Sequence, residues 1–353
     1  MAAGFPVKAN YATGDILTAT NLNDLAGTVN LTANATPTTA TQMAGKNAII
    51  NGAFNVWQRG TSFTPASGSY VYTADRFGVS RDGTGATVTV SQQAFTAGTA
   101  PVTGYEGQYF FRYAQTVAGT GGTYLTVCSQ KVENVRTWAN QAVTYSFWAK
   151  ADTTRTVTVG YGQIFGSGGS ADVYGNLGST ITLTTSWVRY TVTGTIPSVS
   201  GKTIGANSFL EVYIGGTTNS VQTIDIWGVQ LEAGSSATPF QTATGTLQGE
   251  LAACQRYLPA FTGPTSAFNG YAYQTNGSLY NIPFPVTARV APTGITVSGT
   301  TNAYALNTAT SVTPAFSVSS INNCQITASH TIIAGQGAQL VVGGLLLFTG
   351  CEF

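Results

Sequence analysis

The chain has 353 residues, enough for two domains or one domain with attachments. Only 8% of them are charged, against roughly 25% in ordinary soluble domains, and the formal net charge is +1 without a basic run, which argues against a nucleic-acid partner. No stretch approaches the roughly 20 apolar residues of a membrane span, and residues 1–15 lack the apolar core of a signal peptide, so neither membrane insertion nor a leader is expected. A surface built from Thr, Ser, Asn, Gln and Gly suits a chain buried in an oligomer or living outside a cytoplasm.

Residues 1–45 differ from the rest. Thr18 or Thr20 is placed to cap a short helix with Leu22, Leu25 and Val29 on one stripe. Such a helix is marginal alone in water and gains stability by docking on a partner or packing with copies of itself, so the segment is read as an anchor followed by a Thr/Ala linker.

Residues 49–77, IINGAFNVWQRGTSFTPASGSYVYTADRF, organise the remainder of the chain. Ile50, Gly52, Phe54 and Val56 alternate with Asn51, Ala53, Asn55, Trp57 and Arg59, the pattern of a half-buried strand, and a second aromatic strand is expected around Tyr70 and Tyr72. Further strands are expected at 86–93, 108–115, 122–132, 142–149, 156–163, 187–196, 208–214 and 222–231. Eight to ten strands with one face in and one face out, separated by turn residues, predict a jelly-roll sandwich over 46–245. Residues 246–353 open with a helical spacing, Leu247, Leu251, Cys254 and Leu258, ended by Pro259. Strands are then expected at 270–274, 279–285, 293–298, 315–318, 324–329 and 339–349. The unbroken run Leu345–Phe348 predicts a strand covered on both faces, with a neighbouring chain as one source of cover. The fold class expected is all-β: an anchoring segment, a jelly-roll β-sandwich, and a short helix with a smaller C-terminal β domain.

Chemistry is scarce. The four cysteines, Cys128, Cys254, Cys324 and Cys351, have no metal spacing and read as buried thiols. The single histidine, His330, has no nucleophile elbow to serve and reads as a strand or turn residue, so no catalytic residue, metal site or cofactor is assigned. Asp75-Arg76 reads as a local or cross-strand charge pair, Asp82 and Asp152 as turn residues, and Glu211 and Asp225 as carboxylates on strands. The aromatics remain: 17 Tyr, 17 Phe and 5 Trp. They fill sandwich cores, and exposed ones also stack on sugar rings. Trp57, Tyr70 and Tyr72 are the leading ligand-binding candidates, with Arg59 and Asn55 as hydrogen-bonding neighbours and Trp148 and Trp187 added because they lie off the apolar faces. Tyr271, Tyr273 and Tyr280 form a candidate distal patch.

The stretch INGAFNVWQRGTSF…YTADRF resembles the opening of a β-sandwich found in tailed-bacteriophage tail-fibre and appendage proteins. GDILTATNLN near the N-terminus, VENVRTWANQAVTYSFWAKAD, GQIFGSGGS, LTTSWVRYTVTGTIPSVSGKTIG, IDIWGVQLEAGSSATPF, ELAACQRYL and NIPFPVTARVAPT continue that resemblance in order. More distantly, NxxF, SFWAKA, SWVRYTVT and IDIWGVQLE are similar to carbohydrate-binding jelly-roll modules. Those modules often carry a structural calcium ligand near the position of Asp225, but the opening strand here has Asn55 where an acidic partner would stand. The resemblance implies a virion structural protein, not an enzyme: a homotrimeric tail-fibre or neck/tail appendage held to other virion proteins through residues 1–45 and contacting host-surface glycan. A ligand-free collar, baseplate or decoration protein is the first rival, and a depolymerase with facing carboxylates the second.

Overall fold

The computed structural model describes residues 45–353 apart from 217–219, 264 and 307. The expected anchor helix and linker lie outside these residues. The rest is all-β, a jelly-roll sandwich followed by a smaller C-terminal β region.

Thirteen strands form the sandwich: β1 (Ser62–Phe63), β2 (Val71–Tyr72), β3 (Phe77–Arg81), β4 (Thr87–Ala94), β5 (Tyr109–Val117), β6 (Leu125–Glu133), β7 (Gln141–Ala151), β8 (Arg155–Ile164), β9 (Val173–Asn176), β10 (Ile181–Leu183), β11 (Val188–Ile196), β12 (Phe209–Gly215) and β13 (Gln222–Ala233). One sheet runs β1-β4-β5-β13-β7-β11; the other runs β10-β8-β12-β6-β3-β2, with β9 also on β8. Every pairing is antiparallel. Alternation delivers Val88, Val90, Phe111 and Tyr113 from the first sheet and Val127, Val159, Leu210, Val212 and Ile214 from the second into one core. Burying each such side chain contributes about 1.5–3 kcal/mol.

The expected opening strand is not a strand. Residues 50–53 form a turn, and Asn51 (φ 62°) and Phe54 (φ 55°) take left-handed backbone. The physical reason is that side chains, rather than a ladder, satisfy this backbone. Asn51 closes a loop on Val56 through both its amide atoms, at 2.8 and 2.9 Å. Gln130 takes the Ile50 N–H and donates to the Ile50 carbonyl, each at 2.8 Å. Asn47 bridges Ile49 and Leu231. Gly52 allows the segment to lie against β13, since a Cβ there would sit 2.1 Å from the Val229 carbonyl oxygen.

The helix, α1 (Leu247–Gln255), starts on Thr246, whose hydroxyl accepts from the Gly249 N–H. Its buried residues are Glu250 and Cys254, whereas Leu247 is 57% and Leu251 38% exposed and Leu258 lies past its end. The predicted leucine stripe is therefore corrected: the helix docks through a carboxylate. Glu250 accepts from the Asn51 N–H at 2.6 Å and from the Thr244 N–H and hydroxyl at 2.8 Å each.

The C-terminal strands are β14 (Ala260–Phe261), β15 (Ser266–Gln274), β16 (Gly277–Pro283), β17 (Gly294–Val297), β18 (Thr300–Ala305), β19 (Thr308–Ser311), β20 (Ala315–Ser319), β21 (Asn323–Ser329), β22 (Gly337–Gly343) and β23 (Leu346–Thr349). A three-stranded sheet, β14-β23-β17, and a seven-stranded sheet, β19-β18-β22-β15-β16-β21-β20, enclose a second core. The expected strand 339–349 breaks at Gly343-Gly344 and serves both sheets. Leu346 and Phe348 enter the core, and Leu347 packs on Leu258 and Ala260 on the other side. The two-sided cover comes from the same chain, not a neighbour. All four cysteines are free and buried. No helix among the described residues is long and apolar enough to cross a membrane.

Candidate functional site

The outer faces of the two sandwich sheets are occupied differently. On the first sheet, loops cover an aromatic cluster in which Trp148 lies 5.4 Å from Trp227, and Trp187 lies 5.3 Å from Phe110 and 5.5 Å from Phe95. Trp148 is buried and also carries the Arg189 guanidinium over its ring at 4.6 Å; Trp187 is half-buried. Trp57 sits at the edge of the core, 6.3 Å from Phe63 and 6.2 Å from Phe111, and donates its indole N–H to the Phe54 carbonyl at 2.7 Å. Asn55 is half-buried, and its side-chain oxygen has no hydrogen-bond partner among the described residues.

The outer face of the second sheet is exposed at its β9 edge, where Tyr174 lies, and covered toward β3, where Tyr70 lies over Gly78 and Ser129 is buried. Glu211 and Tyr213 on β12 alternate with core residues Leu210 and Val212, so both point outward. In register, Gly160, Tyr213, Ser129, Gly78 and Tyr72 form one row across five strands. Tyr174, Gly162, Glu211 and Lys131 form the adjacent row. The glycines provide the floor. A Cβ at Gly160 would lie 2.2 Å from Tyr213 Cζ, one at Gly78 2.1 Å from Tyr70 Cζ, and one at Gly162 3.0 Å from Tyr174 Cε1. Three tyrosine rings thus rest on bare backbone. Tyr174 is 63% exposed and Tyr213 half-buried. Six strands at about 4.8 Å spacing make the face roughly 24 Å wide.

One border of this face is closed by the end of the C-terminal region. The Phe353 carbonyl accepts from Tyr72 Oη at 3.2 Å and Lys131 Nζ at 3.3 Å, and its ring lies 5.0 Å from Phe209. Arg289 holds this segment through the Cys351 and Glu352 carbonyls at 2.8 and 2.9 Å. Glu352 pairs with Arg59, which also stands 3.7 Å from Asp75. Burial pushes the Glu352 carboxyl up to about 7 against the pull of the Arg59 and Arg76 guanidiniums. Burial likewise raises Tyr70 and Glu211 and lowers Lys131, whose ammonium sits 3.9 Å over the Tyr70 ring.

The sequence-derived ligand residues therefore fall in three places. Tyr70 and Tyr72 share the tyrosine face, with Arg59 behind Tyr72 at 5.3 Å; Trp57 and Asn55 lie at the core edge; Trp148 and Trp187 lie under loops on the other sheet. Tyr174, Tyr213 and Lys131 were not singled out by the sequence. The outward series Phe209, Glu211, Tyr213 opposite Gly162 and Gly160 was the available signal, legible only once the strands were paired. In the distal patch, Tyr271 and Tyr273 are exposed but Tyr280 is a core residue, so the patch loses that member.

The polar residues have structural partners. Asp75 pairs with Arg59 and Gln58 rather than with its neighbour Arg76, which stacks on Tyr257 at 3.4 Å and donates to the Lys131 carbonyl. Asp225 receives two hydrogen bonds from Arg112 at 2.7 and 2.8 Å and has Lys150 at 3.6 Å. Glu211 and Asp225 lie on opposite outer faces of the sandwich, so they cannot flank one glycosidic bond. His330 follows β21, is buried, and shares a 2.8 Å hydrogen bond with Ser278. No group of three His, Cys, Asp or Glu among the described residues could hold a metal ion. What the tyrosine face offers is ring stacking with a few hydrogen bonds, the chemistry of binding.

No protein-family model matches the chain, and no curated protein matches it. Among solved structures it is similar to the CBM22-1 xylan-binding domain from Paenibacillus barcinonensis Xyn10C, at 13% identity and a TM-score of 0.33, over 55% of this chain and 98% of that one. The tandem CBM22-1-CBM22-2 domain of the same protein is similar over 88% of this chain and 98% of its own, at 10% identity and a TM-score of 0.33. The enzymatically active domain of tailspike protein 4 from bacteriophage CBA120 is similar over 53% of this chain but only 21% of its own, at 16% identity and a TM-score of 0.32. At these values none carries a function to this chain, and the β-sandwich assignment rests on its own strand pairing.

Proposed function

We propose that this protein is a bacteriophage virion component, a tail-fibre or neck/tail appendage subunit whose sandwich contacts host-surface glycan. The observation that carries the glycan reading is the pair Tyr174 and Tyr213, seated on a glycine floor at the exposed edge of the sheet face. Their rings stack on the apolar faces of pyranose units, while Glu211 and Lys131 supply hydrogen bonds at the inner end. On this reading Tyr70, Tyr72 and Arg59 border the face, while Trp148 and Trp187 on the opposite sheet, and Trp57 and Asn55 at the core edge, take no part in it. The order of the phage-like sequence motifs and the 8% charge content support the virion placement, with residues 1–45 as anchor and a homotrimer as the assembled unit. Several copies raise avidity without any new contact.

The test is retention of the full chain on immobilised host surface polysaccharide. Wild-type retention that Tyr174→Ala and Tyr213→Ala abolish supports the reading; equal retention of all three proteins sinks it. Light scattering on the full chain and on a chain starting at Lys46 tests the assembly: a monomer in both cases overturns the fibre subunit. The ligand-free structural reading draws on one observation, that Tyr72 and Arg59 are already engaged by Phe353 and Glu352. It predicts no retention at all.

A further inference from the structure

The seven-stranded C-terminal sheet carries a surface groove on the face turned away from its core. On β15, Phe268 and Ala272 pack inward, so Asn269 and Tyr271 point out. On β22, Ala338 and Leu340 pack inward, which turns Gly337 and Gln339 out. On β18, buried Ala303 and Ala305 leave Tyr304 outward. The register joins Tyr304, Gln339 and Asn269 in one row over three strands and sets Tyr271 opposite Gly337. Asn269, Tyr304, Gly337 and Gln339, with Leu306 beside them, border a shallow groove of about 480 Å³, and Tyr271 stands next to it across from Gly337. Asn269 and Gln339 are linked amide to amide at 3.4 Å, and a Cβ at Gly337 would meet nothing within 4 Å. Tyr271 is 53% exposed and Tyr304 half-buried.

The groove has a definite chemical character. The Tyr304 ring lies beside two primary amides, each able to donate and accept at once, which matches the paired hydroxyls and apolar ring face of a sugar. None of its residues carries a charge. From Tyr257 to Cys351 the chain has one charged side chain, Arg289, and that guanidinium is taken by the Cys351 and Glu352 carbonyls and by Asn207. An anionic ligand would find no counter-charge. A β-strand peptide would find no free backbone either, because β22 and β15 are paired on both sides.

We propose that this groove is a carbohydrate site separate from the sandwich face, taking an uncharged pyranose chain. It lies on a different sheet around a different core, and it stands or falls independently of the tyrosine face.

The experiment is affinity electrophoresis of the full chain through gels containing xylan, mixed-linkage glucan, dextran or mannan, with alginate as the anionic comparison. Gly337→Phe fills the groove from its open side; Tyr304→Ala and Gln339→Ala remove a ring and an amide. Gln339 is exposed, so its variant reports on the groove even if a ring variant unfolds. The expected result is retardation by at least one neutral polysaccharide, weakened about fivefold or more by each of the three changes and retained in Tyr174→Ala. Retardation that only Tyr174→Ala removes overturns the groove and supports the sandwich face. Retardation by alginate alone, or by none of the gels, overturns it too. So does a change in solution mass in Gly337→Phe with unchanged retardation, which would make the face a contact between copies of this chain.

Discussion

The Tyr213 ring occupies the space that a side chain at Gly160 would need: a Cβ there would lie 2.2 Å from its Cζ. The tyrosine and the glycine are cross-strand partners on β12 and β8, so ring and floor are set by one register. Gly160→Ala is expected to push the ring off the sheet. Overpacking of this kind costs about 1–3 kcal/mol, which exceeds what alanine gains in strand propensity. Urea unfolding would show a lower midpoint with an unchanged slope, and glycan retention would fall with it.

Tyr174→Ala separates binding from stability. The side chain is 63% exposed, so its loss should change stability by less than about 0.5 kcal/mol. Retention on polysaccharide should nevertheless drop. A stability loss as large as that of Gly160→Ala would show that Tyr174 is a packing residue instead.

Glu352 makes the join between the C-terminal region and the sandwich sensitive to pH. Its carboxyl is raised by burial from 4.5 to about 7, with Arg59, Arg76 and Lys131 pulling it down and Asp75 pushing it up. A carboxyl whose folded value exceeds its unfolded value contributes stability fully below the unfolded value and loses it as pH rises through the folded one. Wild-type stability relative to Glu352→Gln should therefore fall between pH 4.5 and 7, by up to about 3 kcal/mol. Asp82, Glu133, Asp152 and Glu232 are shifted downward and act with the opposite sign, but they are common to both proteins and cancel in the comparison. Thermal unfolding of both proteins across this range checks it; parallel curves would refute the assignment.

Asp225 is the acidic position nearest the calcium-carrying pattern of related-looking modules, yet its oxygens are taken by Arg112 and Lys150. Asp225→Asn should destabilise by about 1–3 kcal/mol, because the bidentate pair is lost while both cations, each one-third exposed, can turn to water. Millimolar calcium or a chelator should leave the wild-type melting temperature unchanged. A calcium-dependent rise would displace the ion-pair account.

Much of the strand inventory was legible because period-two alternation is a local property. Trp187 to Ile196 shows it, and Tyr190, Val192 and Ile196 point inward there; residues 222–231 show it in two phases, Ile224 and Ile226 before a register shift and Val229 and Leu231 after it, with Trp227 turned to the other face. Short strands such as β9, β18 and β19 were missed because Gly, Ser, Thr and Asn give alternation little contrast, and β10 because three residues are too few to show a period.

By itself, then, the sequence determined the all-β class, the sandwich and the buried thiols, because each stems from which residues avoid water. It could not determine partners that meet across long stretches of chain. The alternating segment around Asn51 folds as a turn because Gln130 and Glu250 satisfy its backbone from 80 and 199 residues away. Leu247 and Leu251 stay exposed because the carboxylate of Glu250 fits that junction better than a leucine stripe. Tyr213 meets Gly160, and Tyr304 meets Gln339, only through strand register, which couples residues that no local window contains. Tertiary structure thus decided the tyrosine face and the groove, while the sequence had already supplied the rings and amides that line them.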